Sequence, residues 1–274
     1  MSAFTNFYSP TPLTETQLHD LVPSIFTRSK RPDRSDHFQA VPTIEAVRAL
    51  ANEGFLPYGG GEAITRKRGT KPFVKHMLKF RQVHASPLSR VGDSQLEVVM
   101  VNANDGSRAY RLEAGVFRLA CLNGMVVKSK DFGGFRVRHV GDNILDRVIE
   151  GTHLIAGQAG RIMHTPDAWS RITVSPFHQL ALATRAHALR FGKSEERIKP
   201  GQLLKTRRRE DGGNDLWSIF NVVQENITSG GLYGSAAQPG QRRMSTRGIT
   251  GIDQNLRLNR ELWGYAEELA AELA

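Results

Sequence analysis

Apolar residues recur along the chain with two different periods, and the switch between them organises it. Near the N-terminus the period is helical. Thr14 and Gln17 stand at capping-box spacing, Leu18 and Leu21 follow at helical separation, and Pro23 stops the run, which predicts a helix over residues 14–21. Ile44, Val47, Leu50 and Ala51 share one face of a second helix over residues 43–53, with Gly54 placed to terminate it. The polar, turn-rich stretch SKRPDRSDHF between the two reads as a linker.

From about residue 60 the period becomes two. Val74, His76, Leu78 and Phe80 alternate with Lys75, Met77, Lys79 and Arg81, the pattern of a strand with one mainly apolar and one strongly cationic face. Residues 62–68 are expected to be its antiparallel neighbour, joined through turn chemistry at Gly69, Thr70, Lys71 and Pro72. A strand over residues 96–101 runs into Asn104-Asp105-Gly106, a strong hairpin signal, and Tyr110 and Leu112 open the return strand. Residues 116–122 fit helix or strand. Asn123-Gly124 ahead of Met125-Val126-Val127 favours another hairpin, and residues 135–139 complete an antiparallel sheet of five to seven strands. Beyond Gly141 the helical period returns. Helices are expected at 142–163, at 176–191 (Ser175 as N-cap, Pro176 in the first turn), at 215–229 (Asn214 as N-cap, Gly230 and Gly231 ending it) and at 255–273. The fold class is therefore α+β: an N-terminal helix and antiparallel β-sheet with a basic face in residues 1–140, then a helical region with basic loops in residues 141–274, packed on the sheet as one unit.

Charge sharpens this outline. The chain carries a formal +10, and residues 60–85 hold seven Lys and Arg against one Glu, a net +6. Excess positive charge favours a polyanionic partner. The expected nucleic-acid contacts are Arg66, Lys67, Arg68, Lys71, Lys75, Lys79 and Arg81 as a phosphate-tracking stripe, with Tyr58 and Phe73 able to stack unpaired bases. Two further basic clusters, Arg207, Arg208 and Arg209, then Arg242, Arg243 and Arg247, lie in loops of the helical half and could close over a bound polyanion.

Other chemistry is poorly represented. The single Cys121 cannot form an intrachain disulfide or a cysteine-rich zinc site, and the nine histidines never take short ligand spacing, so no metal and no cofactor are expected. Gly192-Lys193-Ser194 lacks the earlier glycine of a phosphate loop, since His187 stands there, and reads as a helix end. Gly59-Gly60-Gly61 has no dinucleotide-fold spacing and reads as a flexible strand entry, and His76 as a hydrogen-bonded core histidine. Asp142, Asp146 and Glu150 share a helix face, where acids near an N-terminus suit the helix dipole better than a cation site. No catalytic residue is assigned. No apolar run reaches the ~18 to 20 residues of a membrane span, and MSAFTNFYSP has neither region of a signal peptide, so a cytoplasmic location is expected.

Several blocks together resemble a family: Val22-Pro23-Ser24-Ile25-Phe26, Lys75-His76-Met77-Leu78, Asn104-Asp105-Gly106, Gly115-Val116-Phe117-Arg118 with Cys121 and Asn123-Gly124, Val148-Ile149-Glu150-Gly151, Asn214-Asp215-Leu216-Trp217, and Arg247-Gly248-Ile249 through Asp253 to Leu262-Trp263. They are similar to the YafZ/YfjQ-type proteins, an uncharacterised group of prophages and conjugative plasmids. That resemblance runs nearly end to end and implies a mobile-element setting. It brings no catalytic residue. The order of elements also resembles the Rad52-like single-strand annealing proteins, which implies a basic groove for DNA and a homo-oligomeric ring. The leading expectation is a mobile-element protein that binds single-stranded DNA, with double-stranded DNA as a further partner, and promotes annealing or recombination. The alternative is a protein-binding antagonist of a host defence or DNA-repair system, with no DNA chemistry of its own.

Overall fold

The computed structural model describes residues 4–34, 41–83, 90–91, 94–105, 108–118, 123–126, 134–139, 143–192, 197–234 and 245–273. It is an α+β protein with an antiparallel sheet. The chain divides into two compact units, Met1–Arg118 with Gly124–Met163 and Thr250–Ile252, and Leu119–Asn123 with His164–Ile249 and Asp253–Ala274.

In the first unit, helix α1 (Glu15–Leu21) starts on the expected capping box, with Thr14 and Gln17 bonded reciprocally. Helix α2 (Thr43–Asn52) ends at Gly54, whose φ of 80° is the left-handed terminator. The sheet runs β1 (Phe7–Tyr8), β2 (Phe55–Glu62), β3 (His76–Gln82), β5 (Ser94–Ala103), β6 (Arg108–Arg118) and β7 (Asn123–Val126), with β4 (Arg90–Val91) paired to β5 and β8 (Phe135–Val137) paired to β6. The strand expected over residues 62–68 begins earlier: β2 ends at Glu62, and residues 64–73 form the connection to β3. The glycine triplet is thus strand interior, not a flexible entry. A Cβ on Gly60 would lie 2.3 Å from the Met77 carbonyl oxygen, and one on Gly61 would lie 1.7 Å from that of Thr5, so only glycine lets β1, β2 and β3 approach as they do.

Helix α3 (Ile144–Gly157) packs beside α2 and against β5, β6 and β8, so this unit extends past residue 140. The helix expected over 142–163 is broken at Gln158, after which α4 (Ala159–Trp169) begins. In the second unit, α5 (Pro176–Phe191) opens on Ser175 as expected, whereas the N-cap of α6 (Leu216–Ser229) is Asp215 and not Asn214: its carboxylate accepts from the Ser218 amide at 2.9 Å. Gly192 closes α5 at φ 88°, and α7 (Ile252–Leu273) starts three residues earlier than expected. Trp169, Trp217, Phe220 and Trp263 form the aromatic core of this unit, with Trp169 and Trp263 centroids 4.7 Å apart.

Candidate nucleic-acid interface

The expected basic stripe separates into two groups. Arg66, Lys67, Arg68 and Lys71 stand exposed on the β2–β3 connection. The loop that carries them is held by its own threonines: the Lys67 amide donates to Thr65 Oγ1 (3.1 Å), and the Thr70 hydroxyl donates to the Lys67 carbonyl (2.8 Å). Gly69, at φ 77°, turns the chain between them. None of the four side chains forms an ion pair among the described residues.

Lys75 and Lys79 are half-buried, and Arg81 is 4% exposed. The Arg81 guanidinium donates through Nε (2.9 Å) and Nη2 (2.8 Å) to one carboxylate oxygen of Glu97 on β5, and through Nη1 to the Tyr8 hydroxyl (3.3 Å). The rings of Tyr8 and Tyr58 lie 5.1 and 4.7 Å from it. This corrects the expectation of an open cationic face continuing to Arg81. The Phe80 to Val98 register brings Arg81 beside Glu97, and an interior carboxylate draws the arginine inward. Glu97, set directly before the apolar run Val98–Val101, was the available signal. Tyr58, half-buried with Arg81 against its ring, is likewise part of this packing, whereas Phe73 is half-buried in the one-turn 3₁₀ segment Lys71–Phe73 at the end of the basic loop.

At the end of that connection lies a cavity of about 350 Å³ lined by Pro23, Ser24, Phe26, Thr27, Lys71 and Pro72. One wall is the 3₁₀ turn Pro23–Phe26, the other the turn Lys71–Phe73, and the Thr27 hydroxyl ties them by donating to the Pro72 carbonyl at 2.7 Å. Periodicity could not find this site, because its residues come from two short turns with no repeating pattern.

Behind the cavity a polar relay crosses the core. Ser24 Oγ lies 3.1 Å from His76 Nδ1, which is also 3.3 Å from the Val74 carbonyl. A carbonyl only accepts, which assigns the proton to Nδ1. His76 Nε2 then accepts from the Thr43 hydroxyl (2.8 Å), Asn102 Nδ2 donates to Thr43 (3.0 Å), and His139 Nε2 donates to Asn102 Oδ1 (2.8 Å). Burial lowers the His76 pKa to about 4. A nitrogen already protonated cannot remove the Ser24 proton, so the pair is not set up as an activated nucleophile. His76 is the core histidine that the sequence suggested.

The remaining basic candidates lie in the second unit. Arg207 donates to Asn226 Oδ1 (2.8 Å) and to the Gly230 carbonyl, and Arg208 makes a two-pronged pair with Glu225 at 2.6 and 2.5 Å. Arg208, half-buried, is built into the unit around α6, in contrast to the open loop contact expected, whereas Arg207 is exposed although its guanidinium is hydrogen-bonded. Arg209 and Arg247 are exposed, and Arg242 and Arg243 lie outside the described residues, as does Cys121. Asp146 and Glu150 are exposed on α3, Asp142 lies outside the described residues, and no cluster suited to a metal ion occurs among those described. No helix among the described residues is long and apolar enough to cross a membrane.

Fold and site together define an α+β protein with a polar relay in its core and four exposed cations on one strand connection, the last of which lines a small apolar cavity. Comparison with known proteins names the group: the chain belongs to the family described as a domain of unknown function, DUF932, whose model matches residues 33–263. It is 37% identical to the UPF0380 protein YafZ of Escherichia coli (strain K12) over 262 residues, covering 96% of this chain and 93% of that protein. It is 36% identical, at the same coverage, to the UPF0380 protein YfjQ of that strain. The likeness carried by the short blocks therefore holds across almost the whole chain. No solved structure matches.

Proposed function

We propose that this chain is a nucleic-acid-binding protein that holds single-stranded DNA through the β2–β3 connection, in the service of strand annealing or recombination on a plasmid or prophage. The reading rests on one observation: Arg66, Lys67, Arg68 and Lys71 are exposed on one short loop with no carboxylate partner among the described residues. Surface cations left unpaired cost nothing to redirect toward phosphate, whereas those already paired do. The mobile-element setting is carried over from the family resemblance.

The test is a gel shift of a labelled single-stranded oligonucleotide with the wild type and with the triple variant Arg66→Glu, Arg68→Glu, Lys71→Glu. The wild type should bind and anneal complementary strands, and the variant should bind at least tenfold more weakly with an unchanged melting temperature, since all three side chains are exposed. Equal affinity of the two proteins overturns the reading. A wild type that ignores DNA and retains a specific host protein would instead support the antagonist alternative.

A further inference from the structure

We propose that the cavity between the turns Pro23–Phe26 and Lys71–Phe73 is a pocket for one unpaired nucleobase of a single-stranded polynucleotide. The inference rests on the DNA-binding reading above and deepens it.

The cavity is preformed. The Thr27 to Pro72 bond clamps its walls at 2.7 Å, and the Ser24 amide donates to the buried Glu62 carboxylate at 3.1 Å, which fixes one wall. Phe26 is half-buried, and its ring is set edge-on against His19 with centroids 5.2 Å apart, so it offers a positioned π-surface. Two prolines, Pro23 and Pro72, supply flat apolar walls with little side-chain freedom to lose on binding.

The charge around it selects the occupant. Lys71 lines the cavity, Arg66, Lys67 and Arg68 precede it on the same loop, and Arg28 directly follows the wall residue Thr27; all five are exposed. An apolar pocket flanked by cations suits a ligand with a flat apolar body on an anionic backbone, which describes an unstacked nucleotide within a strand. A peptide side chain would use the walls but leave five cations without a counterpart. Bases in a duplex are paired and stacked, so entry requires a single strand or an extruded base. The pocket thus supplies the strand preference that surface charge alone cannot give.

The test compares an oligothymidylate, an abasic oligonucleotide of equal length and a duplex, bound to the wild type, to Phe26→Leu and to the triple charge-reversal variant. The wild type should prefer oligothymidylate over both other probes. Phe26→Leu, which keeps apolar bulk but removes the ring, should lose about tenfold affinity for oligothymidylate and none for the abasic strand; charge reversal should weaken both strands alike. If the wild type binds oligothymidylate and abasic strands equally, the pocket is overturned while DNA binding stands. If it binds no probe, both readings fall. Should Phe26→Leu not fold, photocrosslinking of wild type to an iododeoxyuridine-substituted strand decides: adducts within residues 23–27 or 71–72 support the pocket, and adducts only elsewhere overturn it.

Discussion

At the scale of single residues, His76 and Arg81 show the same rule from opposite sides: each is held in the core by fixed partners. His76, 1% exposed, stays neutral because burial lowers its pKa to about 4 from an ordinary 6.5. Between those values the unfolded chain takes up a proton that the folded chain refuses, so the contribution of this group to stability is complete above pH 6.5 and declines as pH falls toward 4. The loss amounts to about 3 kcal/mol at most. Urea unfolding at pH 7 and pH 4 should show the wild type losing that much more than His76→Gln, and equal losses would contradict the assignment. Arg81 is charged, and its counterpart Glu97 is 1% exposed. Arg81→Ala would leave that carboxylate buried without its ion pair, which should cost about 3 to 5 kcal/mol, read as a lowered urea midpoint. The charge reversal of Arg81 that its sequence alternation invites would therefore test the fold and not DNA binding.

Elements show which signals are local. The capping box of α1, the serine at the start of α5 and the glycines ending α2, α5 and α6 were legible because each acts within one turn of its own helix. Strand β2 was not, because FLPYGGGE carries a proline and three glycines, and its strand character comes from the neighbours on either side. Helix α3 gives a sharper case. Gly151 lies in its interior, where alanine ordinarily gains about 1 kcal/mol. Here a Cβ would sit 2.3 Å from Phe135 Cδ1 and 2.8 Å from Leu112 Cδ1, inside the contact between the helix and the sheet. Gly157, the last residue of the same helix, has nothing within 4 Å of that position. Gly151→Ala should therefore destabilise by about 1 to 3 kcal/mol, while Gly157→Ala should be neutral or slightly stabilising. The pair compared in one denaturation series isolates the packing term, and a stabilised Gly151→Ala would refute the close approach.

Across the whole molecule the question is which part of the formal +10 is available to a partner. Arginines in the second unit are largely committed. Arg190 donates to the Ile227 and Arg247 carbonyls at 3.0 and 2.9 Å, Arg207 holds the Gly230 carbonyl, and Arg185 pairs with Glu268 at 2.7 Å. Ile227 and Gly230 lie at the C-terminal end of α6, where cations are favoured by the negative end of the helix dipole. Counting basic residues along the sequence could not separate these from the loop cations, since a partner distant in sequence decides each case. Salt dependence can. If Arg66, Lys67, Arg68 and Lys71 each meet one phosphate of a single strand, the logarithm of affinity should fall with that of salt at a slope of about −0.7 for each phosphate, near −3 in total. Raising salt from about 50 to about 200 mM would then weaken binding roughly fiftyfold. Lys71→Ala should flatten the slope by about 0.7 with no change in thermal stability. Arg207→Ala should do the reverse, lowering the melting temperature while leaving the slope of the folded protein untouched, because its guanidinium is spent on Asn226 and the Gly230 carbonyl. A slope that responds to Arg207 and not to Lys71 would move the interface away from the β2–β3 connection and into the second unit.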